Sequence, residues 1–163
     1  MIILGIDPGL ENTGWGIVET RNEILDSRIK LVYCGVIVSK KAGKRSEERL
    51  KFIYDELEKI IKKYKVTEMA MESLFFAKNA KSALKVAEAI GVVKLCGINN
   101  GLAVKEFTPL QVKMALVGYG RAEKDQVETM VRMELGLDKP ISPSHASDAV
   151  AVALTAGFTM KIA

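Results

Sequence analysis

The sequence predicts an α/β fold built on about five strands in a mixed sheet, antiparallel at first and parallel afterwards. Three observations carry that prediction. The first third is a series of β-branched and aromatic runs, residues 2–6, 13–19 and 31–38, broken by Gly, Pro and Asn. Too few residues separate the first two runs for a parallel crossover, so they pair antiparallel, and the third continues the meander. Beyond residue 45, short apolar runs alternate with long stretches whose apolar residues recur every three or four positions.

The elements follow in order. Leu50, Ile53, Tyr54, Leu57, Ile60, Ile61 and Tyr64 lie on one face of a long amphipathic helix. A strand at 66–72 comes next, and a strand–helix–strand succession implies a right-handed crossover that lays it parallel to the first. Asn79 caps a helix running to about Asn99, followed by a strand at 103–107. "TPLQ" is a capping box, with Thr108 as N-cap, Pro109 at the first helical position and Gln111 reaching back; that helix ends near Gly118. Another helix spans 123–135 and stops at Gly136, and a last one begins at 142–144 and carries the apolar run "DAVAVALTAGF".

The 163 residues fit one domain, 1–163, without repeat, linker or low-complexity segment. Hydrophobic residues make up 48% and charged residues 27%, and no apolar run approaches the 18 or so residues needed to span a bilayer. No basic region precedes the first apolar stretch as in a secretory signal, so the expectation is a cytoplasmic protein. Cys34 and Cys96 sit in apolar surroundings far from any metal or redox spacing and read as small core residues. The net charge of +4 is compatible with a polyanionic partner, and the basic residues cluster at 40–45, 78–85 and 118–124. Such clusters also occur as solvated helix ends and loops.

The chemistry concentrates in three places. Asp7 ends the first strand, just before Pro8 and Gly9, and is either a turn residue or a ligand. Glu72 ends the strand parallel to it; ligand sites of α/β sheets lie at such carboxyl ends. Two carboxylates on one edge repel unless a cation or a shared proton intervenes. His145 and Asp148, three apart, share one face of the last helix at its polar first turn. Together these are mostly hard oxygen donors, suited to Mg²⁺ or Mn²⁺ rather than to a thiolate zinc site. Each residue taken alone also has an ordinary structural reading, as a turn residue, a strand end or a helix first turn.

The blocks "GIDPGLENTGWG", "MESLFFAKNAKSALKVAEAIG", "TPLQVKMALVGYGRAEKDQVETMVR" and "HASDAVAVA" resemble, in order and spacing, those of RuvC-type Holliday-junction resolvases over nearly the whole chain. The resemblance implies a ribonuclease-H-like fold with helices on both faces of the sheet. It also implies a homodimeric, Mg²⁺-dependent endonuclease that makes paired nicks in four-way DNA junctions and leaves 5′-phosphate ends. By position, its metal ligands fall on Asp7, Glu72, His145 and Asp148. Two ions would be held, with Asp7 shared between them. The family carries either Asp or His at the position of His145; a neutral imidazole lowers the ligand charge, so Mn²⁺ should serve at least as well as Mg²⁺. Phe75 matches the family aromatic that stacks on an unpaired junction base. Lys113 and Lys124 match its basic residues near the scissile phosphate. Arg121, Lys78, Lys81 and Lys85 are candidates for backbone contacts that position DNA without reading sequence. RuvA- and RuvB-type branch-migration proteins are the implied partners, and the helix from Asn79, with its many small residues, is the expected dimer surface.

Three other readings stay open at this point. "GIDPGLENTG" is also similar to the first phosphate loop of actin-like ATPases, although 163 residues leave no room for their second domain. A non-catalytic junction-binding module would use the basic clusters alone. A related nuclease acting on RNA is disfavoured by "FFAKNAKSALK".

Overall fold

A computed structural model describes residues 1–20, 28–73 and 80–162 of the chain. Its sheet has the strand order β3-β2-β1-β4-β5. Strands β1 (Ile2–Asp7), β2 (Asn12–Thr20) and β3 (Ile29–Val38) form the antiparallel meander, and β4 (Glu68–Glu72) and β5 (Val104–Phe107) extend it in parallel. The expected mixed sheet and both pairing senses are therefore present, and the strand ends differ from expectation by only a few residues. The run at 66–72 begins its ladder at Glu68; at Thr67 the amide donates to the Ile2 carbonyl at 2.9 Å, and the side chain occupies the rest of the pairing, its Oγ1 accepting from the Ile2 amide at 2.9 Å and donating to the Ile2 carbonyl at 3.0 Å.

Strand alternation sends apolar residues to two cores. On one face Leu4, Ile6, Ile17, Met69 and Met71 meet α1 (Ser46–Tyr64) and α2 (Ala80–Asn99), which contribute Ile53, Leu57, Ile90 and Val93. On the other face Ile3, Val18 and Ala70 meet α3 (Pro109–Val117), α4 (Lys124–Leu135) and α5 (Ser144–Ile162). Cys96 is buried and Cys34 half-buried, both as free thiols.

The helix starts follow local chemistry. Thr108 Oγ1 accepts from the Gln111 amide at 3.2 Å while Gln111 Oε1 accepts from the Thr108 amide at 2.8 Å, the reciprocal box expected at α3. Gly118 and Gly136 close α3 and α4 in the left-handed conformation.

Helix α5 is set on the sheet by an absence of side chains. A Cβ on Gly5 would lie 2.1 Å from the Ala149 carbonyl oxygen and 2.8 Å from the Ala153 Cβ; one on Gly14 would lie 1.9 Å from the His145 oxygen. A Cβ on Gly16 would meet Val150 at 2.4 Å. These three glycines form a trough along β1 and β2 in which the small-residue face of α5 lies directly on main chain. Close packing of this kind leaves little freedom in rise or rotation, and it fixes where the first turn of α5 stands.

Candidate active site

The register pairs Ile6 with Met71, so the next residues, Asp7 and Glu72, end adjacent parallel strands on one edge of the sheet. The turn after Asp7 is pinned by Thr13, whose hydroxyl donates to the Gly9 carbonyl at 2.7 Å. Seated in the glycine trough, α5 brings His145 and Asp148 to the same edge. His145 Nδ1 lies 2.7 Å from Asp7 Oδ2. Lys124, in the first turn of α4, donates to Asp148 Oδ2 at 2.8 Å. The four predicted ligands therefore come from three distant segments to one place, and Lys124 joins them there.

The electrostatics are those of crowded acids. Burial, with the charges of Asp7 and Asp148 added, pushes the Glu72 carboxyl up to about 7, and Lys124 only partly opposes this. Burial also raises the Asp7 carboxyl above its ordinary value, against the hydrogen bond and charge of His145. Lys124 is raised in turn, chiefly by its hydrogen bond to Asp148. Beside the acids opens a pocket of about 270 Å³ whose lining includes Glu72, Lys113, Lys124 and Asp148 together with Pro109 and Val112.

Among the described residues, no three His, Cys, Asp or Glu side chains already converge to hold an ion. Asp7 pairs with His145, and Asp148 with the Lys124 ammonium. The donor set nonetheless fits a hard divalent cation. Three carboxylates lie together, one of them raised to about 7 by burial and by its neighbours' charges, and an ammonium already stands beside them.

The remaining expectations divide. Lys113 lines the pocket. Arg121 is exposed in the segment between α3 and α4, three residues before Lys124. Lys81 lies in the first turn of α2, and Lys85 is exposed one turn later, close enough to lower the carboxyl of Glu11. Phe75, Phe76, Lys78 and the cap Asn79 lie outside the described residues. Sequence reasoning missed the positioning glycines Gly5, Gly14 and Gly16. Their signal was available in "GWG", two glycines at strand spacing, set against the run of small residues in α5.

A mixed five-stranded sheet in this order, with helices on both faces, is a ribonuclease-H-like fold. Residues 3–156 match the family described as Crossover junction endodeoxyribonuclease RuvC. The Crossover junction endodeoxyribonuclease RuvC of Clostridioides difficile is 44% identical over 162 residues, covering 99% of this chain and 93% of that protein. The structure of Thermus thermophilus RuvC superimposes with a TM-score of 0.89 at 33% identity, covering 99% of this chain and 96% of the other. T. thermophilus RuvC in complex with a Holliday junction substrate gives 0.87 at 31% identity, with the same coverage. The chain belongs to the RuvC family of crossover junction endodeoxyribonucleases. It is thus a Holliday-junction-resolving nuclease of homologous recombination and DNA repair, in a family that depends on metal. No helix among the described residues is long and apolar enough to cross a membrane.

Proposed function

We propose that this chain resolves four-way DNA junctions in the cytoplasm as a Mg²⁺-dependent homodimer, cutting two opposed strands and leaving 5′-phosphate ends. The observation that supports this most directly is the meeting of Asp7, Glu72 and Asp148 at one sheet edge beside two lysines. Asp7 would be shared between two ions, with Glu72 and Asp148 holding one each; Mn²⁺ would substitute. Bound there, the ions supply activation of a water for in-line attack and stabilisation of the leaving oxygen.

The chain's own residues do the rest. His145, whose Nδ1 lies 2.7 Å from Asp7 Oδ2, holds that carboxylate in one orientation and would either ligate an ion or orient the attacking water. Lys113 and Lys124 face the pocket and attract the scissile phosphate. Phe75 stacks on an unpaired base at the junction centre, and Arg121, Lys78, Lys81 and Lys85 hold the arms through phosphates. RuvA- and RuvB-type proteins would deliver the junction.

Incubation with a synthetic four-way junction and a matched linear duplex tests the reading. Symmetric nicks in the junction are expected with Mg²⁺ or Mn²⁺ and none with Ca²⁺, the duplex staying intact. An uncut junction, or equal cutting of the duplex, would overturn it. Phe75→Ala should slow cutting by about tenfold or more while arm binding changes little, because a lost stack is worth about 1–3 kcal/mol. Equal small losses in both would return Phe75 to a packing role.

The dimer surface proposed is α2. Its outer face exposes Leu84, Leu95 and Ile98 at 67%, 52% and 67%, and a Cβ on Gly91 would meet no atom within 4 Å. Two such helices could approach closely at Gly91, with apolar contacts on either side, and a two-fold dimer matches a two-fold junction. Gly91→Arg should yield a folded monomer in sedimentation velocity, and nicks that no longer come in pairs. A dimer unchanged in that variant would place the interface elsewhere.

A further inference from the structure

The opposite face of the sheet carries a feature that phosphodiester cleavage does not use. Gly14 and Gly16 face α5, so Trp15 between them points to the α1 side. Its ring lies across Gly35 of the neighbouring strand, where a Cβ would come within 3.1 Å of it. Tyr33 stacks on Trp15 at 5.7 Å and 20°, and Tyr64, from the end of α1, stacks on Tyr33 at 6.2 Å and 26°. The Lys63 ammonium stands 5.0 Å from the Tyr64 ring centre. Trp15 and Tyr64 pack half-buried against the core, whereas Tyr33 is 57% exposed. Two grooves of about 280 and 300 Å³ adjoin across Trp15.

The strand beside the grooves is the outer edge of the sheet, since among the described residues β3 pairs only with β2. Edge strands are usually short or guarded by charge or proline. This one runs "LVYCGVIV" over residues 31–38 without either. A bulge at Val32, opposite the Ile17/Val18 step, interrupts the edge and leaves residues 33–38 as a regular stretch of main-chain donors and acceptors. Around the grooves stand Lys41, Lys59 and Lys63 against a single carboxylate, Glu56, which Lys59 already holds at 2.6 Å.

We propose that the β3 edge and its aromatic grooves dock an extended, acidic segment of a partner protein. Its main chain pairs with residues 33–38, a bulky apolar side chain rests against Trp15 and Tyr33, and its carboxylates meet the lysines. A polypeptide fits better than nucleic acid because an open strand edge matches a peptide backbone. The grooves also lie on the sheet face away from Asp7 and its partners.

Trp15 is the sole tryptophan of the chain, so its emission reports on this site directly. The test is selection of a random dodecapeptide library on the full-length protein, followed by titration of the enriched peptides against Trp15 fluorescence. The expected result is enrichment of acidic segments around an aromatic or large aliphatic residue. Their binding should weaken at least tenfold in Tyr33→Ala and in Lys63→Glu and should fall with salt. Junction cleavage should be unchanged in both variants, which separates this proposal from the nuclease reading. Enrichment without acidic bias, equal binding by Tyr33→Ala, or tighter binding of oligo(dT) at Trp15 would overturn it. So would an oligomer beyond the dimer that disappears in Tyr33→Ala, which would make the edge a contact between copies of this chain.

Discussion

Glu72→Gln is expected to reduce junction cleavage on the order of a thousandfold, equivalent to about 4 kcal/mol of transition-state stabilisation, while junction binding stays within about twofold. The amide keeps the size of the side chain but removes the charge that would hold a cation. The same variant should be more stable than the parent when metal is chelated, and the sign follows from linkage. The folded carboxyl titrates at about 7, above the ordinary 4.5. Between those two values the folded protein binds more proton than the unfolded chain, so stability falls as pH rises from 4.5 to 7. The loss is complete above 7 and is bounded at about 3 kcal/mol. Thermal melts with EDTA should therefore place the variant above the parent at pH 8, with the gap closing towards pH 4. Added Mg²⁺ should raise the parent and leave the variant nearly unmoved. Near-normal cleavage by the purified variant would remove Glu72 from the ligand set.

Gly14→Ala is the larger effect on the scaffold. The new methyl would sit 1.9 Å from the His145 oxygen and 2.5 Å from its carbonyl carbon, both main-chain atoms that cannot rotate away. The first turn of α5 must lift, so the His145–Asp7 hydrogen bond is lost together with close packing along β2. A cost on the order of 3 kcal/mol is expected, at the upper end for an overpacked core. Cleavage by the fraction that remains folded should fall at least tenfold. Denaturant melts check this; a Gly14→Ala melt equal to the parent would show that α5 does not rest on the trough.

Much of this was legible in the chain before any coordinates. The short spacing between the first two strands determined their antiparallel pairing, and "TPLQ" carried the start of α3 in its own hydrogen bonds. Asp7, Glu72, His145 and Asp148 could be brought to one edge because strand ends and a helix first turn are local facts, and the crossover rule joins them. What was not legible is tertiary. Whether a lysine stands on Asp148 depends on how α4 packs against α5, to which no local pattern is sensitive. The stacking of Trp15 on Tyr33 depends on strand register, and the part played by Gly5, Gly14 and Gly16 appears only once a helix lies over them.

The pairing of Asp7 with His145 and of Asp148 with Lys124 has one more consequence. Asp148 has a counterion in the Lys124 ammonium and Asp7 a hydrogen-bond partner in His145, so part of the repulsion among the three carboxylates is offset within the fold itself. On the proposed function, an ion held by Asp148 would take the place of the Lys124 ammonium, which would then stand free in the pocket it lines, available to a phosphate.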